Sequence, residues 1–165
     1  MKTLSEQLVQ YAGYHRDKRN IIIHLFGIPL IVFAIAILLS RPTFLLPGLA
    51  ITASPVWFVV AAVCLFYLVL DIRFGLVMSL LLALTVWAAS WFATQSTTVW
   101  LAWGIGLFVF GWVLQFIGHI YEGRKPAFVD DIIGLLIGPL FVVAEIAFML
   151  GLCKTLQHTI ESQAK

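Results

Sequence analysis

Residues 74–121, FGLVMSLLLALTVWAASWFATQSTTVWLAWGIGLFVFGWVLQFIGHIY, contain no Asp, Glu, Lys or Arg. Residues 42–70 lack charged side chains as well. Runs this long and this apolar are typical of helices that cross a lipid bilayer, which need about 20 apolar residues each. The sequence therefore predicts an all-α, multi-pass transmembrane helical bundle.

The overall composition supports the same class. The chain has 165 residues, of which 62% are hydrophobic and 11% are charged, whereas the surface of a soluble domain carries about 25–35% charged residues. The length fits a single membrane domain over residues 1–165. A formal net charge of +2, with no basic surface interleaved with aromatic residues, gives no reason to expect a nucleic-acid partner.

Four to five spans are predicted, preceded by an amphipathic helix over 3–15 that begins with a capping box and lies along the membrane surface. A frayed polar tail is the alternative for that first segment. The segment 56–70 is short for a span, so it is tilted, extended backwards through 49–55, or re-entrant. The five apolar segments are 21–40, 56–70, 74–94, 98–121 and 132–152.

The positions of Lys and Arg predict the orientation. If all five segments cross, seven of these residues share the side of the N-terminus and three lie opposite, which favours a cytoplasmic N-terminus. The ends of the apolar segments that carry histidine, amide and carboxylate side chains then face the cytoplasm too. The chain is expected to be an integral membrane protein, of the inner membrane if bacterial and of the endoplasmic reticulum if eukaryotic.

One candidate site lies at the end of the fourth apolar segment. His119 and Glu122 are three residues apart and Gln115 is four before His119, so all three share one helix face. A histidine and a carboxylate at this spacing can bind one metal ion, as in helical bundles with Glu-x-x-His motifs. A polar helix end that meets the lipid headgroups is the alternative interpretation.

A second group opens the first apolar segment. Asn20 and His24 are four apart and share a face, whereas His15 is nine residues before His24 and would lie opposite on an uninterrupted helix. Both histidines can reach one ion only if the helix breaks between them, and the charged residues 16–19 are a suitable place. A histidine hydrogen-bonded within the packing is the alternative for His24.

Histidine and carboxylate ligands with open positions match non-haem Fe(II) oxygenases better than a closed zinc site, although these ligand types leave zinc open. Four other residues have two interpretations each. Glu145, in the middle of the fifth segment, is either functional or a protonated group bonded across helices. Asp130 either stabilises the start of the fifth helix or supports the site. Arg124 and Lys125 either follow the positive-inside rule or hold a lipid carboxylate.

Taken together, these residues resemble the 2-hydroxy fatty acid dioxygenase family over nearly the whole chain. Tyr121 and Asp131 stand where that family's pattern has Phe and Asn, and neither is a proposed ligand. The matching positions are Tyr14-His15, Asn20, His24, Gly27, Pro29, Gln115-Phe116-Ile117-Gly118-His119, Glu122, Lys125-Pro126-Ala127, Asp130, Pro139 and Glu145.

The resemblance implies Fe²⁺-dependent α-oxidation, in which O₂ is consumed and a 2-hydroxy fatty acid loses its carboxyl carbon. It implies iron held by His15, His24 and His119, with Glu122 or Glu145 completing or supporting the ligand set. The substrate's carboxylate and hydroxyl would chelate the metal, and its acyl tail would stay among the apolar helices with the membrane lipid. Asn20, Gln115, Asp130, Arg124 and Lys125 are the expected supporting or substrate residues.

Two other functions remain open at this stage. A small proton-coupled transporter or channel would use Glu145, His24 and Glu122 as a relay, which explains a carboxylate in mid-span. It explains less well why the polar residues collect on one side. A non-catalytic lipid-binding or assembly protein is the third possibility.

Overall fold

The computed structural model describes residues 2–46, 48, 51–129 and 132–163, with the side chain of residue 128 excepted. Within these ranges the chain is almost entirely helical, which confirms the all-α class. The predicted Asp130 lies outside the described residues. The elements are α1 Leu4–Ala12, α2 Lys18–Ser40, β1 Phe44–Leu45, β2 Thr52–Ala53, α3 Pro55–Leu70, α4 Ile72–Ala93, α5 Thr97–Glu122, a 3₁₀ turn Ala127–Val129, α6 Gly134–Met149 and α7 Lys154–Gln163.

Three helices, α2, α4 and α5, are long and apolar enough to cross a membrane, and α6 with α7 forms a fourth candidate that is bent by 116°. Each of the five predicted apolar segments corresponds to one helix, so the multi-pass class is confirmed. The fifth helix is shorter than predicted because α6 ends at Met149, where Gly151 adopts a φ of +75°. The backbone amides of Gly151 and Leu152 donate to the carbonyl oxygens of Phe148 and Ala147, as in a glycine-terminated helix.

The short segment 56–70 forms α3, which has 16 residues and therefore a length of about 24 Å. It does not extend backwards through 49–55, because Thr52 and Ala53 pair with β1 and Pro55 opens the helix. Proline suits this first position since its missing N–H is one that a helix start leaves unpaired anyway.

The described chain forms two compact units, Leu30–Phe110 and Met1–Pro29 with Gly111–Lys165. We call them the apolar unit and the site unit. The single membrane domain over residues 1–165 stays a prediction, because the packing inside each unit does not show whether the two units fold together or separately.

In the apolar unit, α3 and α4 form a tight helical hairpin. A Cβ atom on Gly75 would lie 2.6 Å from the Cα of Leu68, so only glycine lets the two backbones approach this closely. Asp71 caps α4 by accepting hydrogen bonds from the amides of Arg73 and Phe74, both at 2.9 Å. The polar turn between these helices is therefore a structural cap. The buried core of this unit comprises Ala36, Ile37, Val56, Val86 and Ala89.

In the site unit, α1 begins with the predicted capping box. Thr3 Oγ1 accepts the amide of Glu6, and a carboxylate oxygen of Glu6 accepts the amide of Thr3. The buried side of α1 packs against α6 and α7. The helix ends at Ala12 and α2 begins at Lys18, so the predicted break between His15 and His24 is confirmed. We call residues 13–17 the 13–17 linker.

Candidate metal centre

In the site unit, glycines allow α2 and α5 to approach closely. A Cβ atom on Gly27 would lie 3.2 Å from the carbonyl oxygen of Gly111 and would overlap the side-chain amide of Gln115. One turn further towards the linker, a Cβ atom on Gly118 would overlap Asn20 Oδ1 and lie 3.0 Å from His24 Nδ1. Larger residues at these two positions would push α2 and α5 apart, whereas the glycines let the polar side chains of the two helices meet.

Three histidines meet at this contact. His24 projects from α2, His119 from α5 and His15 from the 13–17 linker, and one ligating atom from each lies within 4.8 Å of the others. The ring centroids are 4.6 Å apart for His15 and His24, 5.1 Å for His15 and His119, and 4.9 Å for His24 and His119. All three side chains are buried, with exposed fractions of 3%, 1% and 7% for His15, His24 and His119.

Backbone carbonyl groups orient two of the rings. Nδ1 of His15 lies 2.8 Å from the carbonyl oxygen of Tyr11, and Nδ1 of His24 lies 3.0 Å from that of Asn20. A carbonyl oxygen only accepts, so Nδ1 carries the proton in each ring and Nε2 keeps its lone pair. This is how histidine ligands of metal ions are usually fixed in orientation and tautomer.

The remaining nitrogens fit a metal ion. Nε2 of His15 and Nδ1 of His119 are buried and have no hydrogen-bond partner in the part of the chain that the structure describes. A buried polar atom without a partner costs about 1–3 kcal/mol. Coordination of an ion by both nitrogens would remove that cost, so the site's chemistry matches a bound metal.

The surroundings of His15 keep its imidazole neutral, which is the ligating form. Burial lowers the pKa of His15 to about 4, against the opposing effect of its hydrogen bond to Tyr11. The ring of Tyr11 stacks on that of His15 with centroids 4.2 Å apart, and Phe141 of α6 closes the same side at 5.7 Å. These aromatic walls exclude water from one side of the histidine cluster.

Glu122, the last residue of α5, lies beside the cluster and contacts the 13–17 linker. Its carboxylate accepts hydrogen bonds from the backbone amides of Arg16 and Asp17, at 2.9 Å, and from the side-chain amide of Asn20, at 3.0 Å. Among the described residues, the side chains whose ligating atoms lie close enough to share one metal ion are those of His15, His24 and His119.

The two predicted amides lie next to the histidines. Asn20 is fully buried and its backbone and side chain contact His24 and Glu122 respectively. Gln115 is 6% exposed, one turn before His119 on α5, and its Nε2 has no hydrogen-bond partner among the described residues. Both predicted amides are therefore buried on the helices that carry His24 and His119.

Other predicted residues are placed differently. The guanidinium of Arg124 donates to the carbonyl oxygen of Gly13 at 2.8 Å, so it ties the linker to the end of α5. Lys125 is exposed. Glu145 is half-buried on α6, and its charged neighbour is Glu161 of α7. It is not a member of the described histidine cluster.

Sequence reasoning missed the parts played by several apolar positions. Tyr11 and Phe141, which pack on His15, carry no local sign of a site. The close contact of α2 and α5 did leave a signal, because Gly104, Gly111 and Gly118 recur every seven residues along α5. Small residues on one face of a membrane helix indicate close helix packing.

The fold and the site together define an all-α membrane protein with a buried three-histidine cluster that could hold a metal ion. The model of one family, described as 2-hydroxy-palmitic acid dioxygenase Mpo1-like, matches residues 1–150 and so includes all three histidines. The chain belongs to the Mpo1-like family, which confirms the resemblance drawn from its motifs.

A curated relative agrees with this assignment. The chain is 32% identical to the 2-hydroxy-palmitic acid dioxygenase MPO1 of Saccharomyces cerevisiae over 161 residues, which are 96% of this chain and 87% of the yeast protein. No solved structure matches the chain.

Proposed function

We propose that this protein is an Fe²⁺-dependent dioxygenase that converts a 2-hydroxy fatty acid to the fatty acid one carbon shorter. The observation that carries the proposal is the buried cluster of His15, His24 and His119, with unpaired imidazole nitrogens, in a chain of the Mpo1-like family. The reaction balances when O₂ and the 2-hydroxy acid give the shorter acid, carbon dioxide and water.

The three histidines would hold the iron. When bound, the ion would supply the redox chemistry with O₂ and a positive charge that attracts the acid. The chain supplies orientation and the exclusion of water, because Tyr11 and Phe141 cover His15 while the packed glycines bring α2 against α5. Chelation through the carboxylate and the 2-hydroxyl group would align the C1–C2 bond that is cleaved.

The surface next to the histidines suits an acyl substrate. Phe116 and Ile120 are exposed on the turn of α5 that carries His119, so the site lies one helix away from the lipid. Arg16 is exposed beside His15, and its guanidinium makes no ion pair within the described part of the chain. We assign Arg16, which is next to His15 in the chain, to the attraction of the carboxylate, with the exposed Lys125 as a second candidate, since Arg19 pairs with Asp17 and Arg124 holds the linker.

If all five apolar segments cross, the excess of Lys and Arg on one side supports a cytoplasmic N-terminus and a site that opens to the cytoplasm. An acid released from a membrane lipid would then reach the histidines from the bilayer, without transfer through water.

The test is metal analysis of detergent-purified protein together with O₂ uptake and product mass spectrometry on 2-hydroxypalmitate. We expect one iron per chain, O₂ consumption that requires the 2-hydroxy acid, and pentadecanoic acid as the product. Palmitate, which lacks only the hydroxyl group, is the matched control and should give no uptake. Full iron occupancy without pentadecanoic acid would exclude this reaction.

A further inference from the structure

The 13–17 linker is held by the end of α5. On one side of His15, the carboxylate of Glu122 accepts hydrogen bonds from the backbone amides of Arg16 and Asp17. On the other side, the guanidinium of Arg124 donates to the carbonyl oxygen of Gly13. These bonds join residues that are 105 to 111 positions apart in the sequence. His15 therefore lies between two points at which α5 fixes the backbone.

His15 needs this support more than the other two histidines. His24 projects from the interior of α2 and His119 from the last turn of α5, so both stand on backbone that helical hydrogen bonds fix. His15 follows the end of α1, and its place depends on a five-residue connection to α2. A loose linker would leave its Nε2 free to move away from the other two ligating atoms.

The carboxylate of Glu122 has little capacity left for a metal ion. One oxygen, Oε2, accepts from Arg16, Asp17 and Asn20, while Oε1 accepts from Arg16 as well. A carboxylate has about four acceptor positions in all. Binding an ion through Oε2, the oxygen that accepts three of these bonds, would require it to release the backbone amide of Asp17, which has no other acceptor in the part of the chain described here.

We infer that Glu122 is a positioning residue that holds His15 at the metal centre and is not itself a ligand. The inference rests on the proposed function, since it takes the histidine cluster as a metal site. Three neutral imidazoles leave a divalent ion without an anionic ligand from the protein. Such a site favours an anionic ligand, and a carboxylate with an adjacent hydroxyl group supplies the charge as well as two donor oxygens.

A double-mutant cycle with Co²⁺ tests the inference. If Glu122 acts through His15, Glu122→Gln weakens Co²⁺ binding about 10- to 100-fold, as losses of outer-shell contacts typically do. The same change in a His15→Ala background then has no further effect, because there is no His15 left to position. If Glu122 is a ligand, the double variant binds more weakly than His15→Ala alone, and the inference is overturned.

Hydrogen exchange provides a readout that does not depend on metal. In the full-length protein, Glu122→Ala should make the amides of Arg16 and Asp17 exchange about tenfold faster, since each loses a hydrogen bond to a charged acceptor. Unchanged exchange would overturn the inference. Glu6→Gln is the matched control, because Glu6 also accepts a backbone amide, that of Thr3 at 2.8 Å, away from the histidines.

The two proposals fail in different ways. Wild-type protein that takes up no Co²⁺ overturns the metal centre and this inference with it. Protein that shows the expected cycle and exchange but releases no shortened acid from 2-hydroxypalmitate overturns the proposed reaction alone. The visible absorption of bound Co²⁺ adds a further check. It changes when the ion loses an imidazole ligand, and it stays the same when a hydrogen bond outside the ligand set is lost but His15 does not move.

Discussion

The apolar unit and the site unit are built from similar helices but treat their polar side chains differently. Residues 30–110 contain three charged residues and none of the four histidines. Their polar groups are mostly satisfied nearby, as when Asp71 caps α4 or Thr85 bonds the carbonyl of Leu81 one turn away. In the site unit, polar groups more than 100 residues apart in the sequence bond one another.

Buried atoms without partners show the same contrast. Four of the six found among the described residues belong to the site unit, and all four lie on His15, Asn20, Gln115 and His119. A membrane protein gains nothing from leaving such groups unpaired, because each costs free energy in a region without water. Their concentration at one place indicates a ligand, whereas local satisfaction indicates a structural role.

Removing a histidine is expected to give the largest effect. His24→Ala and His119→Ala should each abolish iron retention and turnover, while membrane insertion stays intact. The loss of metal affinity should exceed the roughly 100-fold that the loss of an outer-shell contact causes at most. Iron per chain after gel filtration and the circular dichroism of the purified protein measure the two properties. His158→Ala, on the exposed side of α7, is the control and should keep its iron. Normal product formation by the two site variants would discard the site.

Filling the glycine contact should have an intermediate effect. In Gly118→Ala the new methyl group overlaps Asn20 Oδ1, so Asn20 and His24 must shift. We expect Co²⁺ affinity to fall about 10- to 100-fold. Gly106→Ala is the control on the same helix, since a Cβ atom there has no neighbour within 4 Å. Equal affinities in the two variants would show that the close approach does not matter to the site.

The smallest effect on the site is expected from the apolar unit. Gly75→Ala places a methyl group 2.6 Å from the Cα of Leu68. This clash is with backbone atoms, so it can be relieved only if one of the two helices moves. The free energy of unfolding should fall by about 1–3 kcal/mol, with Co²⁺ affinity unchanged in the folded protein. Denaturation in detergent and Co²⁺ titration measure these quantities. A loss of Co²⁺ affinity in the folded variant would contradict the expectation that packing in the apolar unit does not affect the histidines.

Much of this arrangement was predictable from the chain alone. The apolar runs located all five long helices, since hydropathy is a local property of the sequence, and the capping box located the start of α1. The spacing of Asn20 and His24, and of Gln115 and His119, placed each pair on one helix face because a helix has a fixed period. The angular argument also required a break between His15 and His24, and the chain breaks there.

Only the tertiary structure decided how these pieces meet. The sequence left the place of Glu122 open between ligand and support, and its contacts with the amides of Arg16 and Asp17 depend on the end of α5 lying beside the start of α2. The stacking of Tyr11 on His15 depends in the same way on how α1 packs. Helical period and hydropathy act over a few residues, so they determine which side chains share a face. Contacts across more than 100 residues are set by the packing of one helix on another.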